Sequence, residues 1–431
     1  MIMEKQGQTA RIEKSRNICG NFLIFACAFL YAASMAAKGI FIAEQQYIVD
    51  MWNLAYATAS LSNTFYFVTY GFVQIVLFFI VSRLDIVKYV LVTVPIASLL
   101  TMLIGTAENI GSIWFYFGLS GAFQAGIYCG CNYALAKYLP VKLLEKANKV
   151  MNAMYALGTV AAYGLCALCI TWGLWRAPYF VIGGIFASSV IVFGVAVRQA
   201  KRFLEINKRL DGASSAGLQN GVEEKPLFTL ETRKKTTVFY ILVVVFAFLI
   251  SALYYGVMNY ITALLVEVHG MSQNVSVYVS IIAPVAITLG PMLTIGSCEK
   301  EPDFIKVGLR YLVAILPIPV LLAFFYDSNV LLALVLSVLF VVVAQGVKTI
   351  VLSVITFRMR NQLNVGAYSA ISNAVASVSG GVIPTVFGKI IDTAGWTVSY
   401  VTLFGLTAIV LFSLFIIDAL VCRAQKKEAV L

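Results

Sequence analysis

Long apolar stretches separated by short polar ones set the pattern of this chain. They cover residues 20–46, 54–81, 86–106, 111–139, 147–171, 177–198, 237–267, 272–297, 304–325, 329–356, 365–390 and 396–421. Each is long enough to cross a hydrocarbon layer as an α-helix, for which roughly 20 residues suffice. Lipid offers no partner to backbone N–H and C=O groups, so helices are the elements such stretches can form. The pattern predicts an all-α membrane protein with twelve transmembrane helices and both termini on one side.

The longest polar segment, residues 198–235, falls between the sixth and seventh stretches and contains Asp211-Gly-Ala-Ser-Ser-Ala-Gly217 and Asn220-Gly221. It reads as a flexible linker between residues 1–197 and 236–431. A weak internal echo supports the division. Asn152, Trp175 and Tyr179 recur 221 residues later as Asn373, Trp396 and Tyr400. The expected architecture is two pseudo-symmetric six-helix bundles joined by a cytoplasmic linker, the product of a parallel duplication.

Composition agrees. The chain of 431 residues is 61% hydrophobic and 12% charged, against about 25% charge in a soluble domain, and its mean hydropathy is +0.89. The net charge of +11 does not mark a nucleic-acid surface, because its distribution follows the helices. Of 31 Lys and Arg residues, 27 fall on the side of the termini and two (Arg176 and Lys389) on the other, while Lys38 and Lys348 lie inside apolar stretches. By the positive-inside bias, both termini are expected in the cytoplasm of a cell membrane. The polar start, 1–16, lacks the basic, apolar and small-residue sections of a cleaved signal, so the first helix is expected to stay.

Lys38 is the most informative residue. A charge at membrane depth costs roughly 2.5–3.5 kcal/mol on insertion scales, and no Asp or Glu lies near the middle of an apolar stretch to pair with it. An anionic small-molecule substrate is the simplest missing partner. Lys348 is the second such cation. It either neutralises a second carboxylate or reaches back to the membrane edge. Further polar candidates lie on the first, fourth, fifth, seventh and eleventh helices: Tyr31, Tyr128, Asn132, Asn152, Tyr155, Tyr254, Tyr255, Asn259 and Asn373. Tyr31 with Lys38, Asn152 with Tyr155, and Tyr255 with Asn259 share helix faces by spacing. Interhelical hydrogen bonding and packing are the ordinary alternatives for each Asn and Tyr. Glu44 and Asp418 are expected at the membrane interface, near helix ends.

Metal and cofactor chemistry find little support. Cys129 and Cys131 point about 200° apart on a helix. Cys166 and Cys169 share a face, but His269 is the sole histidine. The cysteines read as small packing residues, and no cofactor is expected. An intramembrane enzyme would need a nucleophile and base or a metal, and the sequence offers neither.

Several stretches resemble the major facilitator superfamily and, more narrowly, its organophosphate:phosphate antiporter branch. Tyr31-Ala-Ala-Ser-Met-Ala-Ala-Lys38-Gly-Ile-Phe41 is similar to the branch's first helix, with Lys38 at a phosphate-binding Arg. Tyr70-Gly-Phe72 through Ser82-Arg83, Phe123-Gln124-Ala-Gly126, Asn152, Gly158, Ser379-Gly380-Gly381, Asp392 and Gly395-Trp396 resemble other family motifs. The resemblance implies charge-paired gating loops at Arg83, Lys88, Glu299 and Lys300, and transport by alternating access. It also shows departures. Phe78 and Ser82 replace the loop signature's Gly and Asp, Tyr254 replaces a second phosphate-binding Arg, and Tyr155 replaces a His. Two Arg forks suit a phosphate, whereas one Lys with tyrosines suits a carboxylate-like anion better. The expectation is a monomeric carrier of a small organic anion working by exchange or uniport, since no mid-helix acid is seen to carry protons. The alternatives are a non-transporting sensor on the same fold and a proton-coupled exporter of drugs or metabolites.

Overall fold

A computed structural model gives the architecture and describes residues 2–80, 83–139, 141–210, 233–301, 303–354 and 365–428. Within these, side chains are described outside 2–16, 78, 141–142, 145, 148–149, 152, 204–210, 233–240, 353, 365–370 and 419–428. The expected linker falls largely outside the described residues, as do Ser82 and the side chains of Phe78 and Asn152.

The described chain is helical. Its elements are α1 (Ile2–Trp52), α2 (Tyr56–Ile80), α3 (Ile86–Ile104), α4 (Ile110–Gln124), α5 (Ile127–Tyr138), α6 (Val141–Thr171), α7 (Ala177–Leu210), α8 (Arg233–Met258), α9 (Ile261–Ala263), α10 (Gln273–Ser280), α11 (Ile282–Ala286), α12 (Leu289–Lys300), α13 (Phe304–Ile315), α14 (Ile318–Phe325), α15 (Val330–Thr349) and α16 (Val365–Glu428). Wider π turns follow α9 at Leu264–Val268 and α15 at Ile350–Val354. Nine stretches among the described residues are long and apolar enough to cross a membrane. The last, Ile371–Asp418, is 48 residues long. Its helix turns at Gly395, where φ 80 and ψ 178 are open to glycine, so it supplies two crossings. The remaining two predicted stretches are α2 and the α4–α5 pair.

Breaks within crossings have local causes. Pro284 lies in α11 just after the interruption at Ile281, because proline gives no N–H to the preceding turn. Helices approach closely where glycines meet. A Cβ on Gly290 of α12 would lie 2.1 Å from the Val342 carbonyl oxygen of α15, and one on Gly158 of α6 would lie 2.3 Å from the Ala32 carbonyl oxygen of α1. These two seams set the distances at which α1 and α15 carry their lysines into the bundle.

Helices α1–α7 pack mainly on one another, as do those from α8 onward. The two groups meet chiefly along α2 with α16 and along α6 with α10 and α11. At the end holding the α1–α2 turn, hydrogen bonds fasten them. The Asp392 carboxylate accepts from the backbone N–H groups of Tyr56 and Ala57, both at 2.9 Å. Glu267 accepts from the Tyr56 hydroxyl at 3.1 Å and from Trp396 Nε1 at 2.9 Å. Gln273 donates to Asp50, and the Ser60 and Tyr260 hydroxyls share a 2.7 Å bond.

Glu44 departs from expectation. It is 0% exposed, with Gln45 and Gln46 buried beside it. Helix α1 runs on to Trp52, so this polar trio faces the bundle rather than the interface. The Glu44 carboxyl lies among Cys166, Cys169 and Tyr179 of α6 and α7. No hydrogen bond of normal geometry reaches either of its oxygens.

Candidate functional site

Half-buried Lys38 and buried Lys348 face one aromatic wall. Lys38 Nζ sits 5.4 Å from the Phe67 ring centroid on α2 and 5.2 Å from that of Tyr155 on α6. Lys348 Nζ sits 5.1 Å from the Tyr254 centroid and 4.7 Å from that of Tyr255, both on α8. The two pairs are continuous: Phe67 and Tyr255 are 5.4 Å apart, Tyr254 and Tyr255 are 4.9 Å apart, and the Tyr155 and Tyr254 side chains meet. Four rings therefore run between a cation from the first half of the chain and one from the second.

Ring faces stand where counter-ions would. A desolvated ammonium over a ring gains up to about 2 kcal/mol, so two rings come close to the roughly 2.5–3.5 kcal/mol cost of a charge at membrane depth. That balance explains how these cations stand without an acid beside them among the described residues. Lys348 is 7% exposed, which decides against its reaching back to the membrane edge. Gly380 makes room for the wall, since a Cβ there would lie 2.8 Å from the Tyr255 ring.

The structure brings together Lys38, Tyr155, Tyr254, Tyr255 and Lys348 from the sequence candidates. Tyr31 and Tyr128 pair one layer away, with ring centroids 5.2 Å apart, and Tyr70 and Tyr155 are near Tyr31. Two further candidates, Asn373 and Asn259, hydrogen-bond to side chains of α2. Asn373 donates to Gln74 of α2 at 3.1 Å, and Asn259 donates to the Tyr255 carbonyl at 2.9 Å and accepts from Asn63 at 3.5 Å. Asn132 is half-buried on α5. Asn152 cannot be placed, because its side chain lies outside the described residues.

The loop candidates are exposed. Lys88 pairs with Asp85 within its own helix start at 3.7 Å, and Arg83 is exposed nearby. Glu299 and Lys300 are exposed at the end of α12, where Arg310 pairs with Glu301 at 2.8 Å and Lys306 with Asp303 at 3.1 Å. Sequence reasoning missed Phe67. Its signal was the spacing of Phe67, Tyr70 and Gln74, which puts an aromatic and polar stripe on one face of α2.

The sequence of residues 24–372 matches the Major Facilitator Superfamily. The chain belongs to that superfamily. As a superfamily member it is a secondary transporter by fold rather than an enzyme. Solved structures share the architecture. A bacterial homolog of the human lysosomal transporter Spinster, in an inward-facing and unoccupied conformation, is 15% identical, with a TM-score of 0.73 over 93% of this chain and 97% of that one. Its inward-facing and occupied form gives 14% and 0.69, over 93% and 97%. The nucleoside transporter NupG gives 14% and 0.65, over 92% and 99%. At these identities the likeness shows the fold alone. No curated protein matches the sequence.

Proposed function

We propose that this transporter carries a small organic anion by alternating access, with Lys38 as the principal charge that recognises it. The observation carrying this reading is a half-buried ammonium held by two ring faces, with no acid beside it among the described residues. The resemblance of the Lys38 stretch to an anion-binding first helix supports the same role. Tyrosines rather than a second Arg around it favour a carboxylate-like group over a phosphate ester. The carrier works as a monomer, with residues 1–197 and 236–431 rocking about the lysine site and 198–235 as their linker. Arg83, Lys88, Glu299 and Lys300 serve the gating loops. The membrane is the cell membrane, with both termini in the cytoplasm. The bonds around Asp392, Glu267 and Asp50 then close the outer side, which is the inward-facing state. Exchange or uniport remains the coupling, because Glu44 faces α6 and α7 rather than the lysine wall.

Lys38→Ala should abolish anion binding and leave the fold intact, because it removes a half-buried charge that has no counter-ion among the described residues. Lys38→Arg keeps the charge but alters its geometry, so partial activity is expected. The check is counterflow of labelled mono- and dicarboxylates in proteoliposomes, with thermal stabilisation by each anion measured alongside. Near-normal affinity in Lys38→Ala would remove the main support for an anion carrier. Stabilisation by anions without any counterflow would favour the sensor on the same fold.

A further inference from the structure

Lys348 gives the site a second charge requirement, one that rests on the anion-carrier reading and narrows it. The side chain is buried, it lies over Tyr254 and Tyr255, and its sole charged neighbour among the described residues is Lys38. Lys38 comes from α1 and Lys348 from α15, so the two ammonium groups approach the same aromatic wall from the two halves of the chain. Like charges facing each other in a medium of low dielectric repel. A neutral solute relieves none of that repulsion, and a monoanion placed at Lys38 leaves Lys348 uncompensated.

We infer that the substrate is a dianion with two separated negative groups, one taken by Lys38 and the other by Lys348, lying along the four-ring wall of Phe67, Tyr155, Tyr254 and Tyr255. A short dicarboxylate fits this description. Its charges are spread over two ends, matching two point-charge lysines, and its methylene stem lies against ring faces. A phosphate ester concentrates its charge at one end and would leave the far lysine bare. The bridge also has a consequence for movement. An anion bound to both halves cancels the repulsion that opposes their closing about the site, so the loaded carrier closes more readily than the empty one. That favours exchange over uniport.

The test is binding to purified full-length protein of malonate, succinate and glutarate against propionate and butyrate, at one ionic strength. The wild type should bind the best dicarboxylate at least about tenfold tighter than the best monocarboxylate. Lys348→Gln should lose that preference while still binding monocarboxylates, Lys348→Arg should keep it, and Lys38→Gln should lose both classes. Equal affinity for the two classes in the wild type, or an intact preference in Lys348→Gln, overturns the inference. If in addition Lys38→Gln abolishes all binding, the anion-carrier reading stands without it. Failure of the whole panel to bind the wild type overturns both. A thermal melt of each variant in the absence of anion separates loss of binding from loss of fold.

Discussion

At the residue scale, the informative side chains are three ionisable groups inside the bundle, half-buried Lys38 and buried Lys348 and Glu44. Lys38 and Lys348 meet aromatic faces, which stand where counter-ions would. Glu44 meets Cys166, Cys169 and Tyr179 and no cation among the described residues. An isolated carboxylate stripped of water is costly, and the geometry offers it no charged partner to recover that cost. A buried carboxyl whose oxygens have no hydrogen bond of normal geometry costs its desolvation, and an apolar side chain of similar volume does not. Glu44→Met is therefore expected to stabilise the fold, by on the order of 1 kcal/mol, and to leave anion affinity unchanged. Thermal unfolding in detergent with and without a bound dicarboxylate reads both quantities. A marked drop in stability, or loss of anion binding, would show that the carboxyl takes part in something its surroundings do not reveal.

At the scale of elements, the start of α2 carries the most specific device. The first N–H groups of a helix have no partner within it, and the positive end of the helix favours an anion there. Asp392 of α16 supplies that anion from the other half of the chain, accepting from Tyr56 and Ala57 at 2.9 Å each. A capping interaction is thus also a fastening between halves, and it is made in the conformation closed at this end. Removing it in Asp392→Ala should weaken the closed end by about 1–2 kcal/mol, enough to change the ratio of closed to open molecules about 5- to 30-fold. Spin labels on the ends of α2 and α16 would show a longer-distance population growing in the variant. An unchanged distance distribution would mean that Tyr56–Glu267, Trp396–Glu267 and the α2–α16 seam hold this end without Asp392.

At the scale of the whole molecule, the bias of basic residues orients the bundle. With 27 of 31 Lys and Arg residues on the side of the termini, that side is expected to face the cytoplasm. A cysteine introduced at Ser214, in a background without reactive native thiols, should resist a membrane-impermeant maleimide in intact cells and react once the cells are opened. Rapid labelling from outside would invert the topology. The Asp392 fastening would then sit on the inner side, and the structure would represent the outward-open state.

What the sequence determined by itself follows from the bilayer as solvent. Long apolar stretches must be helices there, and their number, the turn before Trp396 and the side of the basic loops could all be read along one dimension. Lys38 was legible for the same reason, since a charge inside an apolar run is conspicuous wherever it ends up. Helix ends were less so: Glu44 looks like an interface residue by its place near a helix end, and its burial against α6 and α7 is a property of neighbours distant in sequence. The tertiary structure alone placed Lys348 over Tyr254 and Tyr255, Phe67 beside Lys38, and Asn259 and Asn373 against Asn63 and Gln74 of α2. Each depends on which face of one helix meets which face of another. Helical spacing fixes which residues share a face, and close packing at seams such as Gly158 on Ala32 and Gly290 on Val342 selects the partner that face receives.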